Sequence, residues 1–96
     1  MKLAAVCSTG LGSSFMVDMN IQEILKDLGV DDQVESTHMD MGSANQQSAD
    51  QFFVGKDLAD AAKDRFGNHV TVLDSIIDKN ELKTKVTQYL KSQQII

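Results

Sequence analysis

The chain has 96 residues, enough for one modest hydrophobic core, so a single domain spanning residues 1–96 is expected. Its 14 acidic and 9 basic side chains leave a net charge of −5, a balance that repels phosphate backbones and anionic headgroups and argues against nucleic acid as a partner. The lone cysteine, Cys7, cannot form an internal disulfide, and the apolar run at the start is too short for a signal peptide or a membrane span. These features read as a cytoplasmic protein with no direct membrane insertion.

Leu3, Ala4, Ala5 and Val6 form a continuous apolar run, the pattern of a strand buried on both faces. A small-residue segment follows. From residue 14 to 28, Val17, Ile21, Ile24 and Leu28 recur at helical spacing, with Leu25 widening the stripe and Asp18, Gln22, Glu23 and Lys26 away from it. Gly29 ends this helix. Residues 34–37 fit a short strand, and Ser43 is placed to cap a short polar helix over residues 43–49.

The apolar QFFV at residues 51–54 predicts another strand, and residues 56–67 predict a helix with Leu58, Ala62 and Phe66 on one side and Gly67 at its end. The β-branched stretch at 69–73 predicts a fourth strand. Asp78 followed by Glu81 forms a capping pair for a last helix lined by Leu82, Val86, Tyr89 and Leu90. The order βαβαβαβα implies parallel strands joined by crossovers: an α/β three-layer sandwich with a four-stranded parallel sheet. Ligands in such sheets bind beyond the carboxyl ends of the strands, which places the segment after the first strand at the functional edge.

That segment runs Cys7, Ser8, Thr9, Gly10, Leu11, Gly12, Ser13, Ser14. Its glycines let successive N–H groups turn inward as an anion nest, and the following helix contributes its positive end. No lysine or arginine lies between Lys2 and Lys26, so a phosphate would be held by neutral donors. A thiol beside a helix start has an enlarged thiolate fraction, the nucleophilic form. The residues predict a phosphate-accepting cysteine in a Cys-containing phosphate-binding loop. The competing assignments are a small buried hydrophobe for Cys7, turn residues for Gly10 and Gly12, and an N-cap for Ser13 or Ser14.

The stretch VCSTGLGSSFMVDMNIQEILKDLG resembles the active-site loop and first helix of the enzyme IIB proteins of the bacterial phosphotransferase system (PTS), most closely the ascorbate-type branch. The resemblance implies that Cys7 becomes a phosphocysteine, accepts phosphate from a phosphohistidine of enzyme IIA, and passes it to a carbohydrate bound by the membrane permease, enzyme IIC. It implies peripheral association with that permease, and it calls for no metal or cofactor. Ascorbate as the carbohydrate follows from the resemblance alone, and a galactitol-like or other branch remains open.

A cysteine phosphatase is the alternative from another class. Low-molecular-weight tyrosine phosphatases use a similar strand, loop and helix with the pattern C-x5-R, but Ser13 stands where the arginine belongs, so the bidentate clamp on a phosphate ester is missing. Asp74, after the fourth strand, is placed as such an enzyme's general acid, or else is a turn residue. An anion-binding or redox-sensing module ranks third, since no second cysteine is present to resolve a disulfide. His38 and His69 read as surface or strand-end histidines, and the HMDM at residues 38–41 lacks a metal-ligand spacing. Phe15 and Met19 fall opposite the apolar stripe of the first helix, beside the loop. Both are expected to be exposed, as a docking patch for phosphoryl-transfer partners or, for Phe15, as a cover over the loop.

Overall fold

The computed structural model describes residues 1–7 and 13–96, with Ser13 described by its backbone alone. In chain order the elements are β1 (Lys2–Cys7), α1 (Ser13–Asp27), β2 (Glu35–Asp40), β3 (Gln51–Gly55), a single 3-10 turn (Lys56–Leu58), α2 (Ala59–Phe66), β4 (Val70–Leu73) and α3 (Lys79–Ser92). The strands form one fully parallel sheet in the order β2-β1-β3-β4. This is the α/β architecture that the alternating pattern predicts.

Register explains which side chains meet. β1 pairs with β2 so that Ala5 lies opposite His38 and Cys7 opposite Asp40, and it pairs with β3 so that Val6 lies opposite Val54. Alternation sends Leu3 and Ala5 to one face, where they join Val17, Ile21, Ile24 and Leu25 of α1 and Leu82, Val86 and Leu90 of α3. Ala4 and Val6 point the other way, into a second cluster with Phe52, Val54, Ala62 and Phe66. The Phe52 and Phe66 rings stack there with centroids 3.9 Å apart, fixing α2 on that face. Two helices on one side and one on the other leave β1 buried from Leu3 to Cys7, which is why its sequence is apolar without alternation.

The ends of α1 and α3 follow local chemistry. After α1, Gly29 takes φ +73° while its N–H donates to Lys26 and that of Val30 to Leu25, a Schellman closure in which buried Val30 joins the same core cluster as Leu25. Asp78 caps α3, accepting from the Asn80 and Glu81 amides at 3.0 and 3.1 Å. Glu81, however, does not return to Asp78. Its carboxylate accepts from the Asp74 amide at 2.7 Å and the Ser75 amide at 2.9 Å, so it ties down the turn after β4 instead of closing a capping box.

The polar helix expected at residues 43–49 is absent; that stretch is a series of turns. Asn45 accepts from the Gln47 amide and Ser48 from the Asn45 amide, local bonds that compete with helical ones. From α2, Arg65 donates to the Ala44 carbonyl at 2.9 Å, an acceptor a helix would use, and to that of Gly42 at 3.5 Å. Ala44 is thereby pressed into the core against α2. Arg65→Ala is expected to lower stability by about 1–2 kcal/mol, read in a urea titration. The order is therefore βαββαβα. The predicted helix at 56–67 is also divided, because Gly55 is extended and Leu58 at the start of α2 has φ −107° and ψ 6°, outside helical geometry.

Candidate phosphoryl-transfer site

β1 and β3 are neighbours although β2 lies between them in sequence, so the chain leaves β1 toward one edge and returns on its other side. Such a reversal opens a crevice at the carboxyl ends of the two strands. A cavity of about 80 Å³ occupies that place, lined by Ala5, Val6 and Cys7 of β1, Phe53 and Gly55 of β3, and Ser14 and Val17 of α1. Leu73, Ile76, Asp57 and Leu58 complete the described lining.

Cys7 is the last residue of β1 and is buried. Its carbonyl accepts from the Met41 amide at 2.9 Å, which holds the strand end in register beside the end of β2. Ser14 stands across the cavity, in the first turn of α1. It is only 2% exposed, and its hydroxyl has no hydrogen-bond partner among the described residues. A buried hydroxyl without a partner is costly, and this one shares its cavity with the Cys7 thiol. Ser8, Thr9, Gly10, Leu11 and Gly12, together with the side chain of Ser13, lie outside the described residues.

The absence of a side chain on Gly55 leaves room for those of Asp57 and Ile76. A Cβ on Gly55 would lie 2.7 Å from Asp57 Oδ1 and 3.3 Å from Ile76 Cγ2. Gly55→Ala is expected to displace Asp57 and cost about 1 kcal/mol by overpacking, measured by denaturant midpoint. Opposite Cys7 in register, Asp40 is held below the ordinary carboxylate range by the Ser43 hydroxyl first and by amides of the same turn. It therefore remains an anion over the neutral range. Glu81 is pulled to about 2 by the Asp74 and Ser75 amides, with Lys85 adding at 3.0 Å, and so braces the segment that carries Ile76 to the cavity.

A family model described as "PTS system, Lactose/Cellobiose specific IIB subunit" matches residues 2–88. The chain belongs to the PTS IIB family. Over 88 residues, 92% of the chain and 93% of the relative, this IIB chain is 24% identical to the "Ascorbate-specific PTS system EIIB component" of Mycoplasma pneumoniae (strain ATCC 29342 / M129 / Subtype 1). It is thus a phosphoryl-transfer component of a sugar phosphotransferase system, a role exercised together with IIA and IIC components. The two descriptions differ in the sugar they print. No helix among the described residues is long and apolar enough to cross a membrane.

Of the residues singled out from the sequence of this IIB protein, the structure brings Cys7 and Ser14 into one cavity. Phe15 and Met19 project from the first turns of α1, each 50% exposed, as the helical periodicity predicts. Asp74 is exposed and does not line the cavity; its amide serves Glu81, the behaviour of a turn residue. His69 is exposed just before β4, at the opposite end of the sheet from Cys7.

Asp18 departs from expectation. It is buried, not solvent-facing, and its carboxylate accepts from the Ser36 hydroxyl, from His38 Nδ1 at 2.8 Å and from Gln22 Nε2 at 3.2 Å. His38 is consequently a paired side chain and not a lone surface histidine, with the Phe15 ring edge-on at 5.2 Å. No sequence spacing announces that cluster. Only the β1–β2 register carries Ser36 and His38 under α1.

Proposed function

We propose that this IIB protein carries the phosphoryl group on Cys7, taking it from a phosphohistidine of enzyme IIA and giving it to a carbohydrate held by the enzyme IIC permease. The observation that carries this reading is the meeting, in one small cavity at the switch point of the sheet, of a buried thiol and a buried hydroxyl that has no partner among the described residues. About 80 Å³ is far below the roughly 300–1,000 Å³ of sites that enclose drug-sized ligands. That size accords with a site for the transferred group, with the sugar bound on the permease.

On receipt, the Cys7 sulfur attacks phosphorus, the S–P bond forms and the P–N bond to the donor imidazole breaks, and the thiol proton ends on the nitrogen that phosphorus leaves. On transfer, the acceptor hydroxyl oxygen takes the phosphorus, the S–P bond breaks, and the hydroxyl proton passes to the departing Cys7 thiolate, restoring the thiol. Ser8, Thr9, Gly10, Leu11, Gly12, Ser13 and Ser14 form the cradle in this scheme, by backbone amides first and hydroxyls second. Neutral donors hold the group without a strong charge clamp, which keeps it transferable. Phe15 and Met19 form the patch on which partners dock. Ascorbate is the proposed carbohydrate, on the resemblance of the loop and the ascorbate-specific relative. The proposed location is the cytoplasm, at the inner face of the permease.

Intact-mass spectrometry after incubation with phosphoenolpyruvate, the general phosphotransferase proteins and an ascorbate-type enzyme IIA tests the reading. One phosphate adduct is expected on the parent and none on Cys7→Ser; a parent that stays unmodified with competent donor, or a mutant that is still charged, contradicts it. Replacing Phe15 and Met19 together by Ser is expected to slow charging by about tenfold with the melting temperature preserved.

A further inference from the structure

The Asp18–His38 pair has no part in the chemistry above, yet it is built with more hydrogen bonds than a surface ornament needs. Asp18 is enclosed between α1 and β2, and an ionised carboxylate only accepts, so His38 Nδ1 carries the proton directed at it and the imidazole is fixed in one orientation. The side chain of His38 stays 37% exposed, and its ring meets the Phe15 ring at an interplanar angle of 83°. A half-exposed phenylalanine in the first turn of a helix otherwise samples several staggered conformers. Contact with a fixed ring selects one of them.

Phe15 directly follows Ser14, which lines the cavity with Cys7. A donor must bring its phosphorus within bonding distance of the Cys7 sulfur, so its surface has to pass over the opening turn of α1. We propose that His38, oriented by Asp18, is a positioning residue for the charging of Cys7: it holds Phe15 in the conformation on which the phosphohistidine-bearing donor docks. This rests on the carrier function proposed above. His38 makes and breaks no bond in the transfer, and Asp18 acts through it. The benefit is preorganisation, since Phe15 has less freedom left to lose when the donor arrives.

The test is the initial rate of Cys7 phosphorylation at varied concentrations of phosphorylated enzyme IIA, for the parent, His38→Asn, His38→Phe, Phe15→Ala and the double variant His38→Asn with Phe15→Ala. Asparagine places an amide nitrogen where Nδ1 stands, so it keeps the Asp18 bond and removes the ring. The expected result is a KM raised about fivefold in His38→Asn, with kcat within about twofold and an unchanged melting temperature. Phe15→Ala raises KM at least as far. The double variant is no worse than Phe15→Ala alone, because His38 acts through Phe15. His38→Phe retains a ring for Phe15 but loses the Asp18 bond, so its KM falls between those of the parent and His38→Asn.

Additive effects in the double variant, a fall in kcat without a change in KM, or an unchanged KM in His38→Asn overturns the proposal. If His38→Asn fails to fold, the comparison of His38→Phe with Phe15→Ala decides: equal losses of KM in both overturn it. A parent that takes no phosphate from a competent donor overturns the carrier function and this inference together, an outcome distinct from a charged parent with unaffected variants.

Discussion

Cys7→Ser is expected to accept no phosphate from enzyme IIA and to lower phosphorylation of the carbohydrate by roughly 10⁴-fold or more in a reconstituted system. The expectation follows from the nucleophile. A serine hydroxyl at the end of β1 is almost wholly protonated at neutral pH, and the cavity offers no histidine among its described lining residues to take the proton. The exchange of sulfur for oxygen changes little volume, so the melting temperature should stay within about 3 °C of the parent. Retained transfer in this variant would move the carrier role to another residue.

Glu81→Gln is expected to lower stability by about 2 kcal/mol at pH 7, because the carboxylate that receives the Asp74 and Ser75 amides loses its charge-assisted bonds and its pairing with Lys85. The pH dependence has a definite sign. Glu81 titrates near 2 in the folded chain and near the ordinary glutamate value of about 4.3 when unfolded, so its contribution is fully present above about pH 5 and fades as pH falls toward 2. Parent and variant stabilities should therefore converge across that acid range, as followed by urea unfolding at a series of pH values. A constant difference down to pH 2 would show that the effect is packing, not charge. The variant also loosens the segment bearing Ile76, so Cys7 should react faster with a small alkylating agent at pH 7.

How much of this was legible depended on how local each interaction is. β1 and α1 were readable because their apolar spacing reflects one buried strand and one amphipathic face, and Gly29 has a single conformational task. The stretch at residues 43–49 was not, because Arg65, some 20 residues on, claims the Ala44 carbonyl that a helix would use. Glu81 was recognised as a capping partner but serves Asp74 and Ser75, a choice made by the approach of α3 to the end of β4.

At the site, Cys7 and Ser14 were visible as residue types in a telling order, and their common cavity is a consequence of the β1–β3 switch. Asp57, from the 3-10 turn, and Ile76, from the segment after β4, reach the same cavity from positions distant in sequence. Periodicity sets Asp18 away from the apolar stripe, and nothing local shows that β2 brings Ser36 and His38 beneath it.

In the proposed function the phosphoryl group resides on the Cys7 sulfur at the end of β1. The most direct measurement is tandem mass spectrometry, at neutral pH, of proteolytic fragments from the donor-charged protein. Phosphate is expected on Cys7, with its removal when the permease and carbohydrate are supplied. Phosphate on His38 or His69 with an unmodified Cys7, or hydrolysis of an aryl phosphate by a chain that no donor charges, would contradict it.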